Sequence, residues 1–283
     1  VVASGAPTLY YYCQYHSGMG GTANTPTSLP ATLTYSNNPA EVLMDLLGTG
    51  LGIVDADLDL TSFSQAKADC VNAGFSCDIA LIQQANIQSI IADVLATCRG
   101  KVFHSESKWK FKIDTKSQVV TNADVMSNTL SMSMSGSANI ANKMILKYIN
   151  PSDDYLSAEI VKEDTALQTY DGQIVQKILD IKGVTSATQA TKLCEIALNS
   201  LRYSEDSAGN RIKQTPLAIS FSTSVKNAHL EVGDVISLNH LLLDRVRQFL
   251  ILSTQTDQSG VIAISAREYA ETHFKNTSGA YLI

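Results

Sequence analysis

The sequence predicts an α+β protein of more than one domain, with antiparallel β-sheets beside short packed helices. Three observations carry this. At 283 residues the chain is long enough for two or three compact cores. Between residues 38 and 100, apolar residues recur at a helical spacing, with a stop or start signal at each end. From Lys101 the apolar period falls to two, and the last seventy residues hold four alternating or apolar runs.

Residues 1–37 hold an aromatic cluster, Tyr10, Tyr11, Tyr12 and Tyr15, and then a Gly/Thr/Pro-rich tract; they read as a strand followed by a long loop. Within them "GMGGTA" satisfies the dinucleotide pattern formally at Gly18, Gly20 and Ala23. That pattern works only where a helix follows and aims its N–H groups at a pyrophosphate. Pro26 and Pro30 in "NTPTSLP" forbid the helix, so the match is accidental.

Three helices come next. Asn38 caps the first, with Pro39 at its first position, Glu41 as a capping-box partner, Val42, Leu43, Leu46 and Leu47 as the apolar stripe and Gly48 as the stop. The second opens on the box Ser62-x-x-Gln65, buries Phe63, Ala66, Cys70 and Val71, and ends at Gly74. "FSCDIAL" reads as a strand. The third helix spans about 85–99, with Ile87, Ile90, Ile91, Val94, Leu95 and Cys98 on one side.

"KVFHS" and "WKFKI" form a hairpin turning at Glu106-Ser107-Lys108. Residues 117–142 are rich in Ser, Thr, Asn and Met, and "SMSMSG" is an exposed strand or loop. "KMILKYI" and "LSAEIVKED" are strands joined by the turn "NPSDD". A long helix, 186–202, opens on Ser186-x-x-Gln189 and carries Ala187, Ala190, Leu193, Cys194, Ala197, Leu198 and Leu201 as its stripe. "LAISFSTSV", "DVISL", "RQFLILST" and "VIAISAREY" are strands. The expected divisions are 1–37 unassigned, 38–116 an α/β domain of three helices and a hairpin, 117–215 a β-rich segment with the long helix, and 216–283 a further β-rich segment.

Composition narrows the function. The chain is 45% hydrophobic and 17% charged, with a net charge of −6 and a pI of about 5.3, unlike a general nucleic-acid binder. No run approaches the roughly 18 apolar residues of a membrane span. The chain starts at Val1 without a signal-peptide pattern and is expected to be a processed or excised piece of something longer. Cys13, Cys70, Cys77, Cys98 and Cys194 form no CxxC pair; Cys70 and Cys98 read as small core hydrophobes, with a Cys70–Cys77 bridge as an alternative. A reduced intracellular assembly environment fits.

The candidate sites dissolve on inspection. Asp55, Asp57 and Asp59 alternate like calcium-loop ligands, but Leu60 and Ala66 stand where the loop needs Gly and Glu. The acidic residues instead suit the N-terminus of the following helix, a joint, with a weak exposed cation site as the other reading. There is no GxSxG, GxxxxGK[ST] or HExxH. His16, His104, His229, His240 and His273 are dispersed, and read as surface or packed histidines. Asp153-Asp154 and Glu163-Asp164 are sequence neighbours, which does not set carboxylates across a cleft. Lys108, Lys110 and Lys112 share one strand face opposite Trp109 and Phe111, and that face is read as solvated. Asn276-Thr277-Ser278 is a glycosylation sequon by chance. No catalytic, cofactor-binding or metal-binding residue is assigned.

The motifs taken in order are distinctive. "NPAEVLMDLLGTGLG", "SFSQAKADC", "FSCD" and "VLATCRGKV", then "KYINPSDDY", "GVTSATQATKLCEIALNSLRY", "ISFSTSVKNAHLEVGDVISL" and "SAREYAETHF", resemble the tail tip attachment protein J and baseplate hub (host-specificity) family of long-tailed bacteriophages and prophages. The resemblance covers roughly 38–116 and 144–274. Glu41 stands where that family commonly has an aromatic residue, and Val232 where a Pro-Gly-Asp turn is usual, though Gly233-Asp234 is kept. It implies a multi-domain hub with β-barrel, tube-like domains and α/β domains around a channel. It also implies a homotrimer that closes the distal tail tube, touches the distal tail protein, the tape-measure protein and other tail tip proteins, and serves host attachment and DNA ejection. A host outer-surface receptor would be met by parts outside this stretch. The location implied is the virion tail tip, with assembly in the host cytoplasm, and no cofactor, no sequence-specific nucleic acid and no membrane span is implied. Two other readings stand beside it: a receptor- or carbohydrate-binding tail module using Tyr10–Tyr15 or the Ser/Met tract, and a tail-associated cell-wall hydrolase.

Overall fold

In the computed structural model, residues 9–12, 20–23, 35–80, 85–115, 120–134, 140–276 and 279–283 are described. The chain divides into two units, Val1–Ser36 and Asn37–Ile283. In the first, β1 (Leu9–Tyr12) pairs antiparallel with β2 (Gly20–Ala23). The last four residues of "GMGGTA" are therefore strand, where a long loop was expected; Pro26 and Pro30 lie outside the described residues.

The second unit begins with α1 (Pro39–Asp45), whose N-cap Asn38 accepts a hydrogen bond from the Ala40 N–H. Gly48 does not stop it. The helix widens into a π turn over Leu46–Gly50, which keeps Leu47 buried. Glu41 is ion-paired with Lys67 of α2 (Leu60–Ala73) on the exposed side of the two helices, which pack through buried Ala40, Leu43, Phe63, Ala66 and Cys70. The α2 start lies two residues before the expected box. Asp59 is the N-cap and accepts from the N–H groups of Thr61 and Ser62. Ser62 instead uses its hydroxyl as a bridge, donating to the Asp59 carbonyl and accepting from the Phe111 N–H. The alternating aspartates are thus a joint: a short turn over Asp55–Asp57, then a cap. Asp59→Ala is expected to cost about 0.5–2 kcal/mol, whereas a solvated aspartate would give no change in urea unfolding. Val71, expected inside, is 66% exposed, because the α2 stripe facing the core is Phe63, Ala66, Cys70 and Ala73.

Residues 75–80 form no strand. Phe75 and Cys77 are buried, but the backbone is pinned to loops and a side chain: Cys77 N–H to the Asn37 carbonyl, Asp78 N–H to the Gly183 carbonyl, and Ser76 to Gln189. Then α3 (Ile87–Cys98) ends with Arg99 in the left-handed region, φ 57°. The hairpin β3 (Gly100–Ser105) and β4 (Lys108–Ile113) turns on Glu106 and Ser107, both at positive φ, as a two-residue hairpin turn requires. Gly100 is needed there. A Cβ on it would sit 2.5 Å from the buried Phe111 ring.

The next strands are β5 (Val120–Asn122), β6 (Ser131–Met134), β7 (Lys143–Asn150) and β8 (Leu156–Glu163). After them, α4 (Thr165–Asp171) and β9 (Gln176–Asp180) are two elements that the periodicity does not reveal. The three-stranded sheet runs β8-β7-β9, with β9 parallel to β7. Across it packs α5 (Ala187–Arg202), N-capped by Ser186 as expected. Gln189 does not close a capping box. It is buried, bonds the Ser76 N–H, hydroxyl and carbonyl, and donates to the Thr97 carbonyl, so it ties α5 to residues 75–78 and to α3.

A short pair, β10 (Ser204–Glu205) and β11 (Arg211–Ile212), leads to β12 (Leu217–Thr223), β13 (Val235–Leu238), β14 (Arg247–Thr256) and β15 (Ile262–Tyr269). They join β5 and β6 in a six-stranded sheet ordered β5-β13-β14-β15-β12-β6. One face carries Ile219, Phe221, Ile236, Phe249, Ile251 and Ile264; the other packs Val235 and Leu250 on Ile196 of α5. α5 is therefore buried on two sides, which its single expected stripe omits. The segment after β5 bridges the first face, bonding Ser237 of β13 through Ala123 and Ser222 of β12 through Met126 and Thr129. The sheet's two ends are thereby tied together, while β5 and β6 do not pair with each other, and the barrel stays open among the described residues.

Candidate functional site

Four polar clusters are the places where chemistry could reside. The first lies between the hairpin and the loop before β13. Lys110, expected on a solvated face, is buried; its Nζ donates to Glu231 at 2.5 Å and to Glu106 at 2.6 Å. Lys112 pairs with Glu231 at 3.0 Å and Asp234 at 2.7 Å, and Ser105 donates to Glu231 at 2.7 Å. The lysine face is a docking face. Burial would raise the Glu231 carboxyl, but Lys110, Ser105 and Lys112 hold it below its ordinary value. His104 stands edge-on to Trp109 at 5.5 Å and lines a cleft together with Glu231.

The second cluster is Arg99, Lys101 and Asp114. Burial pulls the Asp114 carboxyl up, and the pairing with Lys101 and Arg99 overrides it and holds it down. The third is the buried pair Arg247–Glu268 at 2.6 Å, with Asp244 on Arg247 and with Ser204 and the Leu217 N–H on Glu268. In the fourth, Asp171 accepts from Arg202 and Asn142, both at 2.8 Å, while Asp164 caps α4 and accepts from the Tyr203 hydroxyl. Of the adjacent acids noted in the sequence, Glu163 faces Lys143 across β7 and β8, and Asp154 takes the left-handed position of the turn. In each cluster the carboxylates are bound to fixed donors of the same fold. Such groups hold elements of the fold together.

Among the described residues no group of three or more His, Cys, Asp or Glu could hold a metal ion, and no helix is long and apolar enough to cross a membrane. Cys70, Cys77, Cys98 and Cys194 are free and buried, so the Cys70–Cys77 bridge does not form. Burial pushes the Cys77 and Cys194 thiols up to about 11, which leaves them unreactive. His273 is packed: its Nε2 lies 2.6 Å from the Tyr203 carbonyl, and burial lowers its pKa to about 3. Neutral in the fold and titrating near 6.5 when unfolded, it supplies stability that is complete above pH 6.5 and is lost as the pH falls towards 3. Urea unfolding should show up to about 1.4 kcal/mol lost per pH unit between pH 6 and 4. His273→Gln should flatten that slope; an unchanged slope would mean the imidazole is not held neutral.

A protein family described as "Putative phage tail protein" matches residues 86–254, more than half of the chain. The chain belongs to this phage tail protein family. No curated protein matches this tail protein. Among solved structures it is similar to a chain from the virion of a native gene transfer agent particle, with a TM-score of 0.60 and 13% identity over 86% of this chain and 49% of that chain. It thus spans about half the length of that chain, and at this identity the likeness is one of fold. A prophage tail protein, gp18 from Listeria monocytogenes EGD-e, is also matched at 14% identity, 70% of this chain, 61% of that chain and a TM-score of 0.39.

The family match begins at Asn86, the N-cap of α3, and runs into β14, so it takes in α3, the hairpin, the three-stranded sheet, α5 and most of the six-stranded sheet. Arg267, a residue of consequence below, lies beyond it. The lysine–glutamate docking and Arg267 were missed in the sequence because their partners are over a hundred residues away or absent. The one usable signal was that β4 repeats lysine three times opposite an acidic loop, "LEVGD".

Proposed function

We propose that this tail protein is a non-enzymatic hub subunit at the distal end of the tail tube, assembling as a trimer. In this reading it contacts the distal tail protein, the tape-measure protein and other tail tip proteins. The observation that carries the proposal is the family match joined to the form of the six-stranded sheet. Among the described residues its outer strands, β5 and β6, have unpaired edges, and Met132 and Met134 of β6 are exposed. An open edge invites another chain to add a strand, and in a ring of identical subunits such edges would meet head to tail. The likeness to a chain of a gene transfer agent virion supports a place in a particle.

The internal pairing of every acidic cluster favours an interface role over hydrolysis. Light scattering on the whole parent protein with its tail partners tests the reading. A mass of three copies is expected, and a persistent monomer at high concentration would overturn it. Peptidoglycan turnover abolished by a carboxylate substitution would favour a hydrolase instead.

A further inference from the structure

A groove of about 380 Å³ opens where the outer side of α3, β9, α5 and the bulged part of β14 converge. Its walls are aliphatic: Leu95, Ala96, Leu179, Ile181, Ala197 and Leu252. Its floor is charged, with Arg99, Lys101 and Arg267 gathered around one carboxylate, Asp114. Asp114 is committed to Lys101 and, at 3.4 Å, to Arg99. Arg267 is left over. Half-buried, its guanidinium makes no hydrogen bond or ion pair among the described residues, and its Nε is buried without a partner, as is that of Arg99.

The guanidinium is desolvated beside two other cations and shares with them the attraction of a single carboxylate, Asp114, without a hydrogen bond to it. Buried polar atoms are nearly always satisfied; the two Nε–H groups are not satisfied within this fold, and the half-buried Arg267 lines a groove through which an acceptor can reach its guanidinium. A guanidinium takes a carboxylate in particular, through paired, charge-assisted hydrogen bonds. Nucleic acid fits the place poorly. Its phosphates favour an open cationic stripe with exposed stacking rings, whereas this floor is narrow and aliphatic-walled in a chain of net charge −6.

We infer that the groove receives a segment of a neighbouring protein in which an acidic side chain lies between aliphatic ones, the carboxylate seated on Arg267 and the aliphatic groups on the walls. This stands apart from the hub reading, since it names a contact and not a place in the particle.

The test uses the whole chain and three probes: acetyl-Leu-Asp-Leu-amide, acetyl-Leu-Asn-Leu-amide and inorganic phosphate. Binding is read from the arginine Nε–H signals in NMR titrations. The aspartate peptide should shift the Arg267 signal and bind at least about tenfold more tightly than the asparagine peptide. Arg267→Met should abolish that preference, and Arg267→Lys should retain part of it. Equal binding of the two peptides overturns the inference, and so does phosphate competing as well as the aspartate peptide, which would make this a small-anion site. Thermal unfolding of the free chain is the second arm. Removing an unpaired charge should leave the midpoint of Arg267→Met unchanged or raised, and a fall of several degrees would make Arg267 a structural staple and overturn the proposal.

Discussion

Glu268→Ala should destabilise the protein by about 3–5 kcal/mol in urea unfolding, among the largest effects of any surface-free substitution. Glu268 and Arg247 are 4% and 3% exposed, and their 2.6 Å contact lies where β14 and β15 meet the exit of α5. The same carboxylate accepts from the Leu217 N–H at 2.9 Å and from Ser204, so it positions the start of β12 and all of β10. Truncation leaves Arg247 buried with only Asp244 and orphans the Leu217 N–H. The cost arises mainly from the stranded charge, so the double variant Arg247→Met/Glu268→Leu should regain more than half of it. If Glu268→Ala falls within about 0.5 kcal/mol of the parent, the pair does not hold the sheet.

Glu231→Ala should cost about 2–4 kcal/mol. One carboxylate there takes three donors, Lys110, Lys112 and Ser105, from the hairpin, and its own backbone is fixed by the Asp234 carboxylate accepting the Glu231 N–H at 2.8 Å. The cost is lower than for Glu268 because Glu106 and Asp234 still hold the two lysines, and Lys112 is 30% exposed. This contact joins the hairpin to the six-stranded sheet through side chains alone, so the loss should be specific. Hydrogen exchange in β3 and β4 should rise more than in β14 and β15. Equal acceleration in both would show that the two regions unfold together and that the contact is not their joint.

Much of this fold could be read from sequence, and the failures have physical causes. Caps were legible where one residue satisfies orphan N–H groups locally, as Asn38 and Ser186 do. Asp59 took the place expected for Ser62 because a carboxylate three residues earlier serves two N–H groups, freeing Ser62 to bond Phe111. α4, seven residues long, is too short to establish a helical period, and Asp164 was read as an acid before it was recognised as a cap. β9 pairs in parallel with β7, which no local turn can announce. Residues 75–80 looked like a strand because burial and alternation are the same there, although their partners are loops and the Gln189 side chain.

The polar clusters were the least legible. Lys110 is charged, alternates with aromatics and sits on a hairpin, all marks of solvent exposure, and only the tertiary approach of Glu231 reverses the reading. Arg267 shows the opposite case. Its strand alternates as a half-buried strand should, and nothing local reveals that the guanidinium would be left beside Arg99 and Lys101 without a hydrogen-bonded carboxylate of its own.

The claim on which the account depends is that this chain acts through its surfaces, as three copies at the far end of a tail. Electron microscopy of assembled particles, with an antibody fragment against the exposed Leu241, Leu242 and Asp244 of the loop between β13 and β14, addresses it directly. The account predicts label confined to the distal tip, with threefold symmetry in the averaged reconstruction. Label spaced along the tube, or gathered at the end that joins the head, would contradict it.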